Sequence, residues 1–283
     1  DSRKNRKQGE EEVKEIPYRE QVMINPYYID GSFSLYHGDC LEQLKAIDND
    51  SVDLVFADPP YFLSDGSITC QSGKMVSVKK GAWDLVGDIE SRTQFHRKWI
   101  QECRRVLKPN GTIWISGTYH SIYQCGFELQ HQGFRIINDI CWFKPNAPPN
   151  LSRKCFTASH ESLIWAIKDR SCNQFFNYEL MKTGSWDSDR LKVPGKQMRS
   201  VWAISPPSKS EKEWGKHPTQ KPLALLQRII LASSEEDDMV LDPFNGSGTT
   251  GIAAKQLNRR YVGIDNNEDY LKLTINRYRG VDI

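Results

Sequence analysis

The chain has 283 residues, with 38 Lys plus Arg against 36 Asp plus Glu and a formal net charge of +2. Hydrophobic residues at 38%, aromatics at 11% and charged residues at 26% exclude a disordered or fibrous chain and leave ample material for a core. No apolar run approaches the ~20 residues of a membrane-spanning helix, and the charged stretch from Asp1 to Glu15 has no signal-peptide pattern.

In chain order, residues 1–20 are charged and poor in apolar groups, which predicts a mobile tail. Ser34 to His37 reads as a short strand ending at Gly38-Asp39, and Cys40 to Ile47 has helical spacing. Val52 to Ala57 is a continuous apolar strand of the buried, parallel type, ending at Asp58. The Gly/Ser-rich stretch over 62–87 is too long for a plain connection and predicts a mobile or functional loop. Arg92 to Leu107 is an amphipathic helix stopped by Pro109-Asn110-Gly111, and Thr112 to Ile115 is another buried strand. A helix near 120–131 and strands near 135–143 and 161–167 follow, and 169–216 shows no period. Helices over Leu223–Ser233, Thr249–Leu257 and Glu268–Arg279 alternate with strands at Met239–Leu241 and Tyr261–Ile264. This alternation predicts an α/β sheet, whose ligands bind at the carboxyl ends of its strands.

Two strand ends carry chemistry. Asp58-Pro59-Pro60-Tyr61 offers carbonyls and a carboxylate but no proline N–H, so the turn is a rigid set of acceptors. Tyr61 adds a flat apolar face with a polar tip. The set suits a planar group bearing an amine with two hydrogens to donate. Further on, Gly246, Gly248 and Gly251 have Gly-x-Gly-x-x-Gly spacing between a strand and a helix, and Asp265 closes the next strand 14 residues later. Glycines admit a ligand close to the backbone, and an acid at that strand end accepts ribose hydroxyls. Asp39 and Asp265 also read as plain helix caps. A nicotinamide-dependent oxidoreductase remains open on the glycine pattern alone, but the motif lies close to the end of the sequence and leaves Asp58 to Tyr61 unexplained.

The balanced total charge speaks against a nucleic-acid partner until it is divided. Residues 141–230 hold 15 Lys or Arg and 7 Asp or Glu, a net of +8, and the remainder nets −6. Such a segment either meets phosphates or forms a solvated surface. The seven cysteines are odd in number, form no Cys-x-x-Cys pair and fit a reducing compartment.

From about residue 30 onward the sequence resembles the DNA amino-methyltransferases. Asp58-Pro59-Pro60-Tyr61 is similar to their catalytic tetrapeptide, and Phe244-Asn245-Gly246-Ser247-Gly248 to their cofactor motif. His217-Pro218-Thr219-Gln220-Lys221-Pro222 is similar to the segment on the methionine side of the cofactor, and Cys141-Trp142-Phe143-Lys144-Pro145-Asn146 to an aromatic motif beside the target base. The motif order is that of the β class.

The resemblance implies a permuted, Rossmann-like S-adenosylmethionine-dependent methyltransferase sheet with helices on both faces. Residues 21–283 would form one methyltransferase domain, with target recognition in 169–216 and the cofactor half in 217–283. The N-terminal strand ending at Asp39-Cys40 would complete that half beside the cofactor's adenine. Asp39, Cys40, Asp58, His217, Thr219, Lys221, Asp242, Phe244, Asn245, Gly246, Ser247, Gly248, Thr249 and Asp265 are the implied cofactor residues. Asp58, Pro59, Pro60 and Tyr61 are the implied catalytic ones. Tyr61, Trp142, Lys144, Lys182, Arg190, Lys192, Lys196 and Arg199 are the implied DNA or target-base contacts. His160-Glu161 resembles an acid–base pair, but adjacent strand residues point to opposite faces, which gives the two structural or base-edge roles.

The implied partners are DNA, a second copy of the chain and a cognate endonuclease in a prokaryotic cytoplasm, with nucleoid association through DNA and no metal or membrane. Asp at the first catalytic position favours adenine N6 over cytosine N4, where Ser is more frequent. Residues 72–84 are similar to adenine enzymes of restriction–modification systems, GATC-specific ones among them. A non-catalytic DNA-binding module is the remaining alternative.

Overall fold

A computed structural model describes residues 25–62, 68–71, 74–77, 88–186 and 189–280. The expected tail over 1–20 and most of the 62–87 loop lie outside them. Inside that loop the backbone forms an antiparallel hairpin of β4 (Ile68–Gln71) and β5 (Lys74–Ser77).

Side-chain alternation sets the layers. In β3 (Val52–Ala57), Leu54 and Phe56 point to one face of a large sheet and Val55 and Ala57 to the other, and all four are buried. On the first face lie α5 (Leu223–Ser233), α6 (Thr249–Gln256) and α7 (Glu268–Arg279), through Leu226, Ile252 and Leu271. On the second lie α1 (Cys40–Leu44), α2 (Ile89–Val106) and α3 (Ile122–His131), through Leu44, Trp99 and Leu129. Asp88 caps α2 by accepting the Ser91 N–H at 2.9 Å, and His96, Trp99, Ile100, Cys103 and Val106 form its buried stripe.

The sheet has nine strands. β1 (Tyr28–Asp30) forms one edge, followed by β2 (Phe33–His37), β11 (Arg260–Asp265), β10 (Met239–Asp242), β3, β6 (Leu107–Gly117), β8 (His160–Ile167), β7 (Arg135–Phe143) and β9 (Val201–Ala203). From β2 to β6 the strands run parallel, so their carboxyl ends share one edge. The expected permutation is present: β2 pairs with β11 from Phe33↔Tyr261 to His37↔Asp265. β8 runs antiparallel to β6, with Ser116 opposite Leu163 and Gly117 opposite Ser162, so its first residues reach the edge where β3 and β6 end.

The aperiodic stretch 169–216 contains only α4 (Tyr178–Thr183), β9 and one 3₁₀ turn. Its organiser lies outside it. Arg228 of α5 is fully buried, bonds Asp189 at 2.6 Å and stands between the Trp186 and Trp202 rings at 4.8 and 4.9 Å. Asp189 also accepts the N–H groups of Leu191 and Ala203, each at 3.0 Å. One buried ion pair thus replaces the apolar periodicity that the segment lacks.

Candidate active site

A cavity of about 220 Å³ opens at the carboxyl ends of β2, β3, β10 and β11. All the expected cofactor residues line it except Gly248. Gly248 instead caps α6 at φ 73°, and a Cβ there would stand 2.3 Å from the Thr274 side chain. Gly246, at φ 52°, does line the cavity, with the His217 ring 3.2 Å from where its Cβ would be. The His217 ring packs in turn against Tyr270 at 4.3 Å.

The acids at this end have no basic side-chain partner. Asp242 accepts the Phe244 N–H at 3.0 Å and the Thr250 hydroxyl at 2.6 Å. Burial pushes its carboxyl up to about 7. Asp265 accepts the N–H groups of Gly246 at 2.7 Å and Asn267 at 2.8 Å, and burial pushes it up to about 6. Asp39 caps α1 through the Leu41 N–H at 2.8 Å and lines the cavity as well, so the two readings of that residue are compatible. Asn245 turns its amide inward, onto the Tyr261 hydroxyl at 2.9 Å and Thr274 at 2.9 Å, and so braces the glycine turn. Phe244 and Phe95 supply the apolar wall.

The β3 end is different. Asp58 Oδ2 accepts from Lys221 Nζ at 2.5 Å, and Oδ1 accepts from the Tyr61 hydroxyl. Lys221 Nζ lies 3.0 Å from Tyr61 Oη and 3.6 Å from Glu161 Oε2. Glu161 Oε2 is also 3.2 Å from Tyr61 Oη, and its Oε1 accepts from Lys144. Ser116 of β6 completes the ring of partners, 3.2 Å from Tyr61 Oη. Burial raises the Asp58 carboxyl above the usual range, against the pull of Lys221. Burial would raise Glu161 too, yet the Lys221 and Lys144 ammoniums hold it at about 2.

Several expectations change. Lys221 lines the cavity but gives its ammonium to Asp58. Glu161, assigned a structural or base-edge role, belongs to the catalytic cluster. His160 and Glu161 do face opposite ways, the first exposed and the second largely buried, but the inward one reaches the site. Trp142 is 2% exposed, and its indole N–H donates to the Ile204 carbonyl at 2.8 Å, so it is a core residue and not a face for the target base. Lys144 sits at the catalytic edge, on Glu161 and 4.4 Å from the Trp142 ring centre.

The basic segment also does not present all its charge outward. Lys168 bonds Asp50 and the Leu107 carbonyl, Lys192 bonds the Lys182 carbonyl at 2.8 Å, Lys182 lies over the Tyr178 ring at 5.8 Å, and Lys221 and Arg228 are buried. Arg190, Lys196 and Arg199 are exposed and do not line the cavity. Glu161 and Ser116 have no local motif. The available signal was the period of two along β8, which puts Glu161 opposite Trp142.

Residues 52–276 match the DNA methylase family of N6 and N4 amino-methyltransferases. The chain is 48% identical over 266 residues to the type II methyltransferase M2.LlaDCHI of Lactococcus lactis subsp. cremoris, covering 94% of this chain and 96% of the relative. It is likewise 48% identical over 264 residues to the type II methyltransferase M2.DpnII of Streptococcus pneumoniae, covering 93% and 96%. Among solved structures, the M1.HpyAVI complex with S-adenosylmethionine superposes with a TM-score of 0.62 at 28% identity, over 87% of this chain and 98% of that one. The cytosine-N4-specific PvuII DNA methyltransferase shares the fold, with a TM-score of 0.70 at 20% identity over 91% and 89%.

The chain therefore belongs to the DNA methylase family and is an S-adenosylmethionine-dependent DNA methyltransferase, with its motifs in the β-class order. The cavity fits that cofactor: Asp242 and Asp265 are buried acids without a basic side-chain partner, and S-adenosylmethionine brings a sulfonium and an ammonium. Among the described residues no group of three or more His, Cys, Asp or Glu is placed to hold a metal, and no helix is long and apolar enough to cross a membrane.

Proposed function

We propose that the chain methylates the N6 amine of an adenine turned out of a short duplex DNA site, as the modification enzyme of a restriction–modification system. The observation that carries this reading is the pair of acceptors where β3 ends, the Asp58 carboxylate and the Pro59 carbonyl, both lining the cavity. An exocyclic amine is a poor nucleophile because its lone pair is delocalised into the ring. Two acceptors that each take one N–H draw the nitrogen toward a tetrahedral state and free that lone pair. They act more strongly on the transition state than on the resting amine, which lowers the barrier. When bound, S-adenosylmethionine supplies an electrophilic methyl on its sulfonium. Asp58, its carboxyl raised by burial, takes the proton that the amine gives up.

Asp265 is assigned to the cofactor's ribose hydroxyls, Asp39 and Cys40 to the adenine side, and His217 and Thr219 to the methionine side. Phe244 to Ser247 and Thr249 form the turn against which the cofactor lies, braced from behind by Gly248. Residues 169–216 are assigned to target recognition, with Arg190, Lys196 and Arg199 on phosphates or guanine edges. A cognate endonuclease acting on the same site, a homodimer and action on nucleoid DNA in a prokaryotic cytoplasm complete the proposal.

Tritiated-methyl transfer to DNA, followed by single-molecule sequencing of DNA from expressing cells, tests it. The expected result is N6-methyladenine at one short motif. N4-methylcytosine, or no modified base at any motif, overturns the adenine assignment.

A further inference from the structure

The resting site shields Asp58 from the amine it is meant to bind. A carboxylate has about four acceptor positions, so geometry leaves room for another N–H. Charge does not: with an ammonium at 2.5 Å, the carboxylate has lost much of its pull on a neutral amine. Lys221 is 7% exposed, so water does not share that ammonium. The Tyr61 hydroxyl has one hydrogen, and that hydrogen points at Asp58 Oδ1.

Beside this pair stands a second carboxylate placed for the same two donors. Glu161 Oε2 lies 3.6 Å from Lys221 Nζ and 3.2 Å from Tyr61 Oη. Lys144 occupies the other oxygen, Oε1, and leaves Oε2 facing the cluster. A movement of Lys221 Nζ by about 1 Å brings it into full hydrogen-bond contact with Glu161, and rotation of one hydroxyl moves the Tyr61 hydrogen across.

We propose that Glu161 is a positioning residue: when the target amine arrives, it takes over the Lys221 ammonium and the Tyr61 hydrogen from Asp58, which then meets the amine as an unpaired carboxylate. Lys144 keeps Glu161 oriented and ionised for this exchange. The inference rests on the reading of Asp58 as the acceptor for the amine. It assigns Lys221 two positions, one that shields the resting site and one that opens it.

A double-mutant cycle between Glu161→Gln and Lys221→Met tests the exchange. Glu161→Gln is expected to lower kcat about tenfold or more while the KM for S-adenosylmethionine stays within about twofold. Adding Glu161→Gln to Lys221→Met is expected to cost nothing further, because without the ammonium the second carboxylate has nothing to receive. Independent structural roles would instead give losses that multiply.

A readout without turnover is the NMR signal of ¹³Cε-labelled lysine, with Lys221 assigned through Lys221→Met. It should shift when duplex DNA and S-adenosylhomocysteine are added to the wild-type protein, and should stay in place in Glu161→Gln. Thermal unfolding checks that the variants fold, and Glu161→Asp, which keeps the charge on a shorter stem, provides a milder lesion of intermediate kcat. Multiplying losses in the cycle, or a Lys221 signal that stays in place while DNA is bound, overturns the exchange. Wild-type protein that methylates no DNA would overturn the proposed function itself, a separate outcome.

Discussion

The cavity has two ends, and their buried acids are held in opposite ways. At the glycine end Asp242 and Asp265 accept only from a hydroxyl and from backbone N–H groups, and burial pushes them up to about 7 and about 6. At the proline end Glu161 lies among lysines and is held at about 2. The target half repeats this second pattern away from the cavity, where Asp189 is paired with Arg228. The lesson is about guests. Acids without cations form a place for a positively charged ligand. Acids already paired form a place where a neutral ligand is handled by moving the protein's own charges.

The largest expected effect breaks the proline end. Asp58→Ala should lower the rate of methyl transfer by about 10²–10³ or more, the size of losing a transition-state acceptor. Cofactor binding, measured by calorimetry, should change far less. Next comes the buried pair of the target half. Arg228→Leu leaves Asp189 uncompensated and should lower unfolding stability by about 3–5 kcal/mol, read by denaturant titration.

The glycine end is sharpened by pH. Asp242 and Asp265 must be ionised to favour a cationic ligand, so affinity for S-adenosylmethionine should fall on the order of tenfold as pH drops from about 8 to about 6. Asp242→Asn should flatten the upper part of that curve. Without cofactor the sign reverses. Both folded-state values lie above the unfolded ones, so these groups favour folding below about pH 4, and that contribution is lost as pH rises through about 6 and 7. The thermal shift produced by cofactor should therefore grow with pH. The smallest effect is expected from Gly246→Ala. Its positive φ and the nearby His217 ring predict a loss of about 1–2 kcal/mol in stability, together with weaker cofactor binding.

The sequence made the two ends visible because each is a local motif at a strand end. Asp58-Pro59-Pro60-Tyr61 and Phe244 to Gly248 are short runs whose backbone chemistry can be read without knowing their neighbours. The strand that completes the cofactor half was also readable, since Ser34 to His37 was the strand left to fill the third place. What joins the ends was not readable. Lys144, Glu161 and Lys221 come from three separate segments, and they meet because β8 runs backwards between β6 and β7. Alternation along a strand tells which side a residue faces, but not which edge of the sheet it reaches. The 169–216 region failed for a related reason: Arg228, its anchor, sits in a helix that looked like ordinary core packing. Counting basic residues along 141–230 overestimated the outward charge, since several of them hold the protein together from inside.

The order of the sheet has a consequence for how the protein is made. β10 and β11 lie between β2 and β3, yet both are synthesised after nearly everything else in the sheet. Until the ribosome has released residues 239–265, β2 and β3 present bare edges across a gap two strands wide. A nascent or truncated chain carries that gap as an invitation to pair with other molecules. Chaperone protection late in synthesis, and aggregation of C-terminally clipped protein, are what this topology leads one to expect.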